Sequence, residues 1–350
     1  MTTVVLLVAA SPVEGLVLTR ELSRSEDLDV RCVVADTFEA RRLLVRAQPS
    51  VVVLDMNLPG DDAIGFLRAV AAHHPRPVVA LVSPGAAGHE TAVRALQAGA
   101  IDTVTKPGPG TSFTVLAGVL LTAIRDAATA GPGAGGRLRP ARRHAFLGAQ
   151  HPKPRRAVVL GASLGGPAAI EAILRAMPPG GPAMVAGIHM PAGHTASFAR
   201  RLDSLCRMRV AEAGNGDRVE AGVCLIAPGG MHTLVRGTPG SPSVTLRPPL
   251  AARGYVPSLD ALFESVARSL AGAAVGVILT GMGADGAAGL RAMRDAGAAT
   301  VAQDEASSVV YGMPGEAVKA GAADHVAALD DIPALVLRLA GEAFPARDVP

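Results

Sequence analysis

Three residues of this chain have the types of an activated-nucleophile set, and each follows directly on an apolar run. Ser163 lies in Gly161-Ala162-Ser163-Leu164-Gly165-Gly166-Pro167, after Ala157–Leu160. His189 follows Ala183–Ile188, and Asp285 lies in Thr280–Ala287, after Ala273–Leu279. Short apolar runs bounded by glycine and charge read as buried strands. Serine, imidazole and carboxylate therefore each stand just past the carboxyl end of a strand, the edge along which open parallel sheets bind ligands. A serine hydroxyl becomes nucleophilic when a base takes its proton. In this reading His189 is the base, and Asp285 orients the imidazole and stabilises the imidazolium. The amides around Gly165, Gly166, Met282 and Gly283 are the candidate oxyanion donors.

Taken singly, each residue has a plainer reading. Ser163 also fits a helix cap, His189 a structural loop histidine, and Asp285 an Asx-turn or cap between glycines. A dinucleotide site needs a second glycine where Ser163 stands and an acid where His189 stands. His189 and His194 lack i,i+4 spacing and a cysteine or carboxylate neighbour, so neither metal nor cofactor is expected.

The elements that position these residues alternate. From Val4 to Ile124, apolar runs at Val4–Val8, Val30–Val34, Val51–Leu54, Pro77–Val82 and Ile101–Val104 alternate with helical spacing. Those helical stretches are Val13–Leu22, Glu39–Ala47, the segment around Phe66, Leu67 and Val70, then Glu90–Ala98 and Val115–Ile124. Asp55 ends the third run and Ser83 the fourth. After Ala157 the alternation resumes, broken by a Gly- and Pro-rich, partly antiparallel stretch from Arg209 to Leu250. Helices are predicted at 167–177, Thr195–Leu205, Leu259–Leu270, Leu290–Ala296, near Gly315–Ala320 and at Ile332–Leu339, with a further strand at Thr300–Ala302. The fold class is α/β, with two doubly wound parallel-sheet domains at 1–126 and 155–345, joined by a linker at 127–154.

A chain of 350 residues accommodates two cores. Aromatics make up 3% with no Trp, which argues against stacking platforms for nucleic acid. The net charge of +3 comes from one segment. Arg137, Arg139, Arg142, Arg143, Lys153, Arg155 and Arg156 fall where no Asp or Glu occurs; without them the chain counts 26 basic and 30 acidic residues. This is the composition of a solvated linker, and no nucleic-acid partner is expected. Cys32, Cys206 and Cys224 are scattered, with no CxxC pair, which fits a reducing compartment. Met1–Val8 lacks a basic signal region. No apolar run reaches the roughly 18–20 residues of a membrane span, so a cytoplasmic location without membrane insertion is expected.

Several motifs occur together in order: Gly161–Pro167, His189-Met190-Pro191-Ala192-Gly193, Ile226–His232, Pro257-Ser258-Leu259-Asp260, Leu279–Gly286, Gln303-Asp304-Glu305 and Val309–Pro314. Over about 155–340 they resemble the catalytic domain of the chemotaxis protein-glutamate methylesterases, the CheB family. The resemblance implies a Rossmann-like domain that hydrolyses glutamyl methyl esters, and often deamidates glutamines, on the cytoplasmic helices of chemoreceptors. It assigns Ser163, His189 and Asp285 as the triad. Leu164 stands where the family usually has threonine, and Ile188 where glutamine is common.

The first half resembles a response-regulator receiver domain, flavodoxin-like in fold. Asp55 matches the phosphoacceptor, Ser83 the switch hydroxyl and Lys106-Pro107 the lysine that pairs with phosphate. Receiver, linker and esterase form the family architecture, in which the resting receiver blocks the esterase and a chemotaxis histidine kinase is the implied partner. Ala9 and Ala10 replace the acidic residues that ordinarily follow the first strand. Mg²⁺ is held by carboxylates in near-octahedral geometry, so Asp55 lacks its usual co-ligands and phosphorylation-independent input is expected. Among other acids, Asp61, Asp62 and Glu14 stand nearby in sequence. The alternative reading is a catalytically weak regulatory or docking protein of a chemosensory pathway.

Overall fold

Runs of apolar residues that no solvent face interrupts can be stable only where helices cover both faces of a sheet. The computed structural model describes residues 2–34, 36–59, 62–108, 113–130, 156–249 and 255–341. The chain divides into two compact units, each built on a parallel sheet.

In the first unit the elements run β1 (Thr3–Ala9), α1 (Pro12–Leu22), β2 (Leu28–Val34), α2 (Thr37–Ala47), β3 (Val51–Asp55), α3 (Ala63–His73), β4 (Val78–Val82), α4 (Ala86–Ala98), β5 (Asp102–Thr105) and α5 (Phe113–Ala130). The strand order is β2-β1-β3-β4-β5, every pair parallel. Every residue of β3 and β4 is buried. The order reverses between β1 and β3, so Ala9 and Ala10 lie beside Asp55 at the switch point, the usual ligand crevice of this topology. One core packs Leu6, Val8, Val52, Leu54, Phe66 and Leu67 together.

The second unit runs β6 (Ala157–Ala162), α6 (Gly166–Ala176), β7 (Met184–Ile188), α7 (His194–Leu205), β8 (Arg209–Glu212), β9 (Val223–Ile226), β10 (His232–Arg236), β11 (Ser243–Arg247), α8 (Leu259–Leu270), β12 (Ala274–Ile278), α9 (Ala287–Asp295), β13 (Ala299–Gln303), α10 (Met313–Lys319), β14 (His325–Ala327) and α11 (Ile332–Gly341). Seven strands form one parallel sheet, β14-β13-β12-β6-β7-β9-β8. From β6 the chain first moves to β7 on one side and later returns as β12 on the other. Ser163 follows the strand at that reversal, with His189 and Asp285 following its two neighbours.

One stretch is as expected, and one helix runs longer than expected. The stretch 209–250 is partly antiparallel, in the β10–β11 hairpin and in a bridge between Arg218 and Ser243, while β8 and β9 pair parallel at the edge of the main sheet. In addition, α5 continues past Ile124 to Ala130, into the expected linker. The remainder of that linker, from 131, and Asp61 lie outside the described residues. No described helix is long and apolar enough to cross a membrane.

Candidate active site

Ser163, His189 and Asp285 meet through the register of three strands. Ala162 of β6 faces Ile188 of β7, and the next amide, that of His189, donates to the Ala162 carbonyl oxygen at 3.1 Å. On the other side the Ser163 amide donates to the Thr280 carbonyl oxygen, just past β12, at 3.0 Å. Ser163 is thus flanked by the ends of both neighbouring strands. Close approach demands glycine at 281, since a Cβ there would lie 2.8 Å from the Cβ of Ser163 and against the Met313 sulfur. The turn then enters α6 through Gly165, whose φ of +75° is accessible to glycine at little cost.

His189 Nε2 lies 2.9 Å from Asp285 Oδ2. An ionised carboxylate only accepts hydrogen bonds, so the imidazole proton belongs on Nε2. Nδ1 then carries the lone pair, and it is buried with no hydrogen-bond partner among the described residues. No hydrogen bond joins Ser163 Oγ to the imidazole among the described residues, a looseness common before substrate arrives. Gly166 donates its N–H to the Ser163 carbonyl oxygen at 2.8 Å. That amide closes the turn, which removes it from the oxyanion candidates. Gly165 and the Met282-Gly283 turn, with φ of +82° at Gly283, remain the candidates.

Asp285 also sits at the amino end of α8, where backbone donors and the helix dipole favour negative charge. It accepts from the amides of Leu259 (2.8 Å) and Asp260 (3.0 Å) and from Ser258 Oγ (3.3 Å). Burial pushes its acidity toward the neutral form, but the His189 hydrogen bond and these amides outweigh it and hold the carboxyl below its ordinary range. Asp260 returns the arrangement, accepting from the amides of Gly286 (2.9 Å) and Gly289 (2.7 Å) at the start of α9. Each acid caps the other's helix. Ser258 caps α8 itself, its Oγ accepting from the Ala261 amide at 3.2 Å. The reciprocal role of Asp260 joins two separate elements and has no local signal.

Residues 158–336 match the family model for CheB methylesterase, and residues 5–114 that for the response regulator receiver domain. The chain is 44% identical over 339 residues to a protein-glutamate methylesterase/protein-glutamine glutaminase of Anaeromyxobacter dehalogenans, spanning 97% of this chain and 95% of that one. It belongs to the CheB methylesterase family. A relative of the same description from Bordetella bronchiseptica is 42% identical over 337 residues, covering 94% and 95% of the two chains. The crystal structure of the Thermotoga maritima CheB methylesterase catalytic domain is similar at a TM-score of 0.51 and 34% identity, over 53% of this chain and 98% of that one.

The two departures from the usual CheB pattern are apolar and packed. Leu164 is buried, and the Thr280 hydroxyl donates to its carbonyl oxygen at 2.9 Å while accepting from the Val310 amide. Ile188 is fully buried, with its side chain beside Gly166.

The CheB receiver pocket is rearranged more deeply. Asp55 is buried, and its Oδ2 accepts from the Ala10 amide (3.0 Å) and pairs with Lys106 Nζ (2.5 Å). Oδ1 accepts from the Asn57 amide at 3.0 Å. The Lys106 ammonium makes a second pair, 2.8 Å to Glu14 Oε2 from α1. Ser83 Oγ accepts from Asn57 Nδ2. Asp62 caps α3 and contributes nothing to this pocket. Mg²⁺ needs several oxygen ligands. Here both Asp55 oxygens face donors, Glu14 is engaged by lysine, and Ala9 and Ala10 bring no carboxylate. Among the described residues no group of three or more His, Cys, Asp and Glu side chains is placed to hold a metal ion. The pocket does not fit the cation that receiver chemistry requires.

Proposed function

We propose that this chain hydrolyses glutamyl methyl esters on the cytoplasmic helices of methylated chemoreceptors, with Ser163 as nucleophile. The observation that carries the reading is the His189–Asp285 pair at the strand end next to that of Ser163, which leaves the Nδ1 lone pair buried and without a partner among the described residues. Ser163 Oγ attacks the ester carbonyl carbon as its proton passes to Nδ1. Charge that develops on the carbonyl oxygen meets the turn of Met282 and Gly283 and the amino end of α6. The C–O bond to the methoxy group then breaks, and Nδ1–H protonates the leaving methoxide. Water repeats the sequence on the acyl-serine, releasing glutamate. A glutamine side chain follows the same route with ammonia as leaving group, in keeping with the glutaminase activity in the names of the relatives. The test is methanol release from a methylated receptor, together with labelling by a serine-directed phosphonofluoridate. The expected result is turnover that the reagent abolishes, with the added mass on the Ser163 peptide. Absence of methanol, or label elsewhere, sinks the reading.

The receiver is read as a module whose input is not phosphorylation. Support comes from Ala9, Ala10 and the Glu14–Lys106–Asp55 chain of charges. Incubation with a small phosphodonor and Mg²⁺ is expected to leave Asp55 unmodified by intact-mass analysis. Stoichiometric aspartyl phosphate contradicts it.

A further inference from the structure

His189 is held at one edge by Asp285, and a single hydrogen bond fixes a point of the ring without fixing its plane. The plane is set by a second contact. Tyr255 lies face to face with the imidazole, ring centroids 4.3 Å apart and planes within 3°. Nothing in the spacing of the sequence marks this residue, one of only two tyrosines in the chain. The phenol reaches across to the neighbouring turn, since a Cβ placed on Gly283 would lie 3.1 Å from the Tyr255 hydroxyl oxygen. One side chain therefore spans the base and the turn assigned to the oxyanion.

Two further facts separate this ring from an ordinary packing aromatic. Tyr255 is 49% exposed while the His189 side chain beneath it is 10% exposed, so the tyrosine covers the base and is itself open to what approaches. Its stacking energy also depends on the charge of the imidazole. Parallel aromatic rings are attracted when offset, and a cation over an aromatic face gains the further attraction of the ring quadrupole. Imidazolium forms as Ser163 gives up its proton, so the contact strengthens on the way to the transition state. Interactions that strengthen there raise kcat.

We propose that Tyr255 is a positioning residue of the esterase, a stacked cover that fixes the plane of His189 and stabilises its charged form. The proposal rests on the esterase reading of Ser163. The full-length chain is assayed as wild type, Tyr255→Phe and Tyr255→Ala for kcat and KM on methylated receptor, and for the rate of Ser163 phosphonylation. Phenylalanine keeps the face and is expected to keep kcat within about threefold, while alanine lowers kcat by about 30-fold with KM within about threefold. Phosphonylation slows in parallel, and the melting temperature stays within about 2 °C because the ring is half exposed. An alanine variant with wild-type kcat, equal losses in both variants, or a loss confined to KM overturns the proposal. Wild-type protein that neither hydrolyses ester nor takes up the reagent removes the esterase reading and the Tyr255 role together. An active wild type with an indifferent alanine variant removes only the latter.

Discussion

Ser163→Ala is expected to lower kcat for ester hydrolysis by about 10⁵-fold or more, and adding Asp285→Asn to that chain is expected to lower it no further. Groups that act on one proton transfer fail together once the nucleophile is gone. Alone, Asp285→Asn is expected to cost about 10⁴-fold in kcat, through the tautomer. Oδ2 of Asp285 accepts from both His189 Nε2 and the Leu259 amide, and Oδ1 from the Asp260 amide and Ser258 Oγ. Asparagine has one acceptor oxygen, so either orientation turns its NH₂ toward donors. If the NH₂ faces the imidazole, the ring proton moves to Nδ1 and the base is lost. If it faces the helix, it opposes the α8 amides. The two changes therefore differ in stability as well. Asp285→Asn is expected to cost about 1–3 kcal/mol, whereas Ser163→Ala leaves the melting temperature unmoved, its hydroxyl making no hydrogen bond among the described residues. Because the folded Asp285 carboxyl is held below its ordinary range, its contribution is present above the unfolded value of about 3.9 and is lost as pH falls through the lower folded value. Methanol release and thermal unfolding at neutral pH read both parts. A double variant slower than Ser163→Ala, or Asp285→Asn within tenfold of wild type, contradicts the coupling.

The parts of this molecule that were legible in the sequence are those where burial leaves no choice of residue. β3, β4, β7 and β12 are buried along their whole length, and a strand covered on both faces reads as an uninterrupted apolar run. Those runs placed Ser163, His189, Asp285 and Asp55 at strand ends without any knowledge of strand order. Where burial is incomplete the signal fades. The short β14 carries no buried residue and so leaves no apolar run in the sequence. β8 and β9 are four residues each and lie in a stretch rich in turn residues, so their parallel pairing was hidden. α9 starts at Ala287, ahead of the first periodic residue Leu290, because its cap is Asp260 from another element. Tyr255 over His189 and Glu14 against Lys106 are contacts between side chains distant in sequence. Glu14 had only its nearness to the missing acids to recommend it, and the structure gives it a lysine partner in place of a metal.

That lysine is where the receiver has most to lose. Lys106→Met is expected to destabilise the receiver by about 3–5 kcal/mol, since it removes one partner of a buried pair and leaves the other charged. The Asp55 side chain is 1% exposed and that of Lys106 10%, so little water reaches either. Without the ammonium, Asp55 keeps only the Ala10 and Asn57 amides, and Ala9 and Ala10 leave no cation site to take its place. Glu14 is less deeply placed, its side chain 27% exposed. Glu14→Gln is therefore expected to cost under about 1 kcal/mol, and the asymmetry between the two variants identifies Asp55 as the group that needs the lysine. Burial acts to discharge Lys106, but the hydrogen bonds to Asp55 and Glu14 outweigh it and hold its pKa above the ordinary value. The stabilisation is thus complete below the unfolded lysine value of about 10.4 and is lost only as pH rises through the higher folded value. Hydrogen exchange of the β3 and β5 amides reads the receiver without relying on a single melting transition. Protection in Lys106→Met that falls by less than about tenfold, or by no more than in Glu14→Gln, rules out the lysine as the internal counter-ion of Asp55.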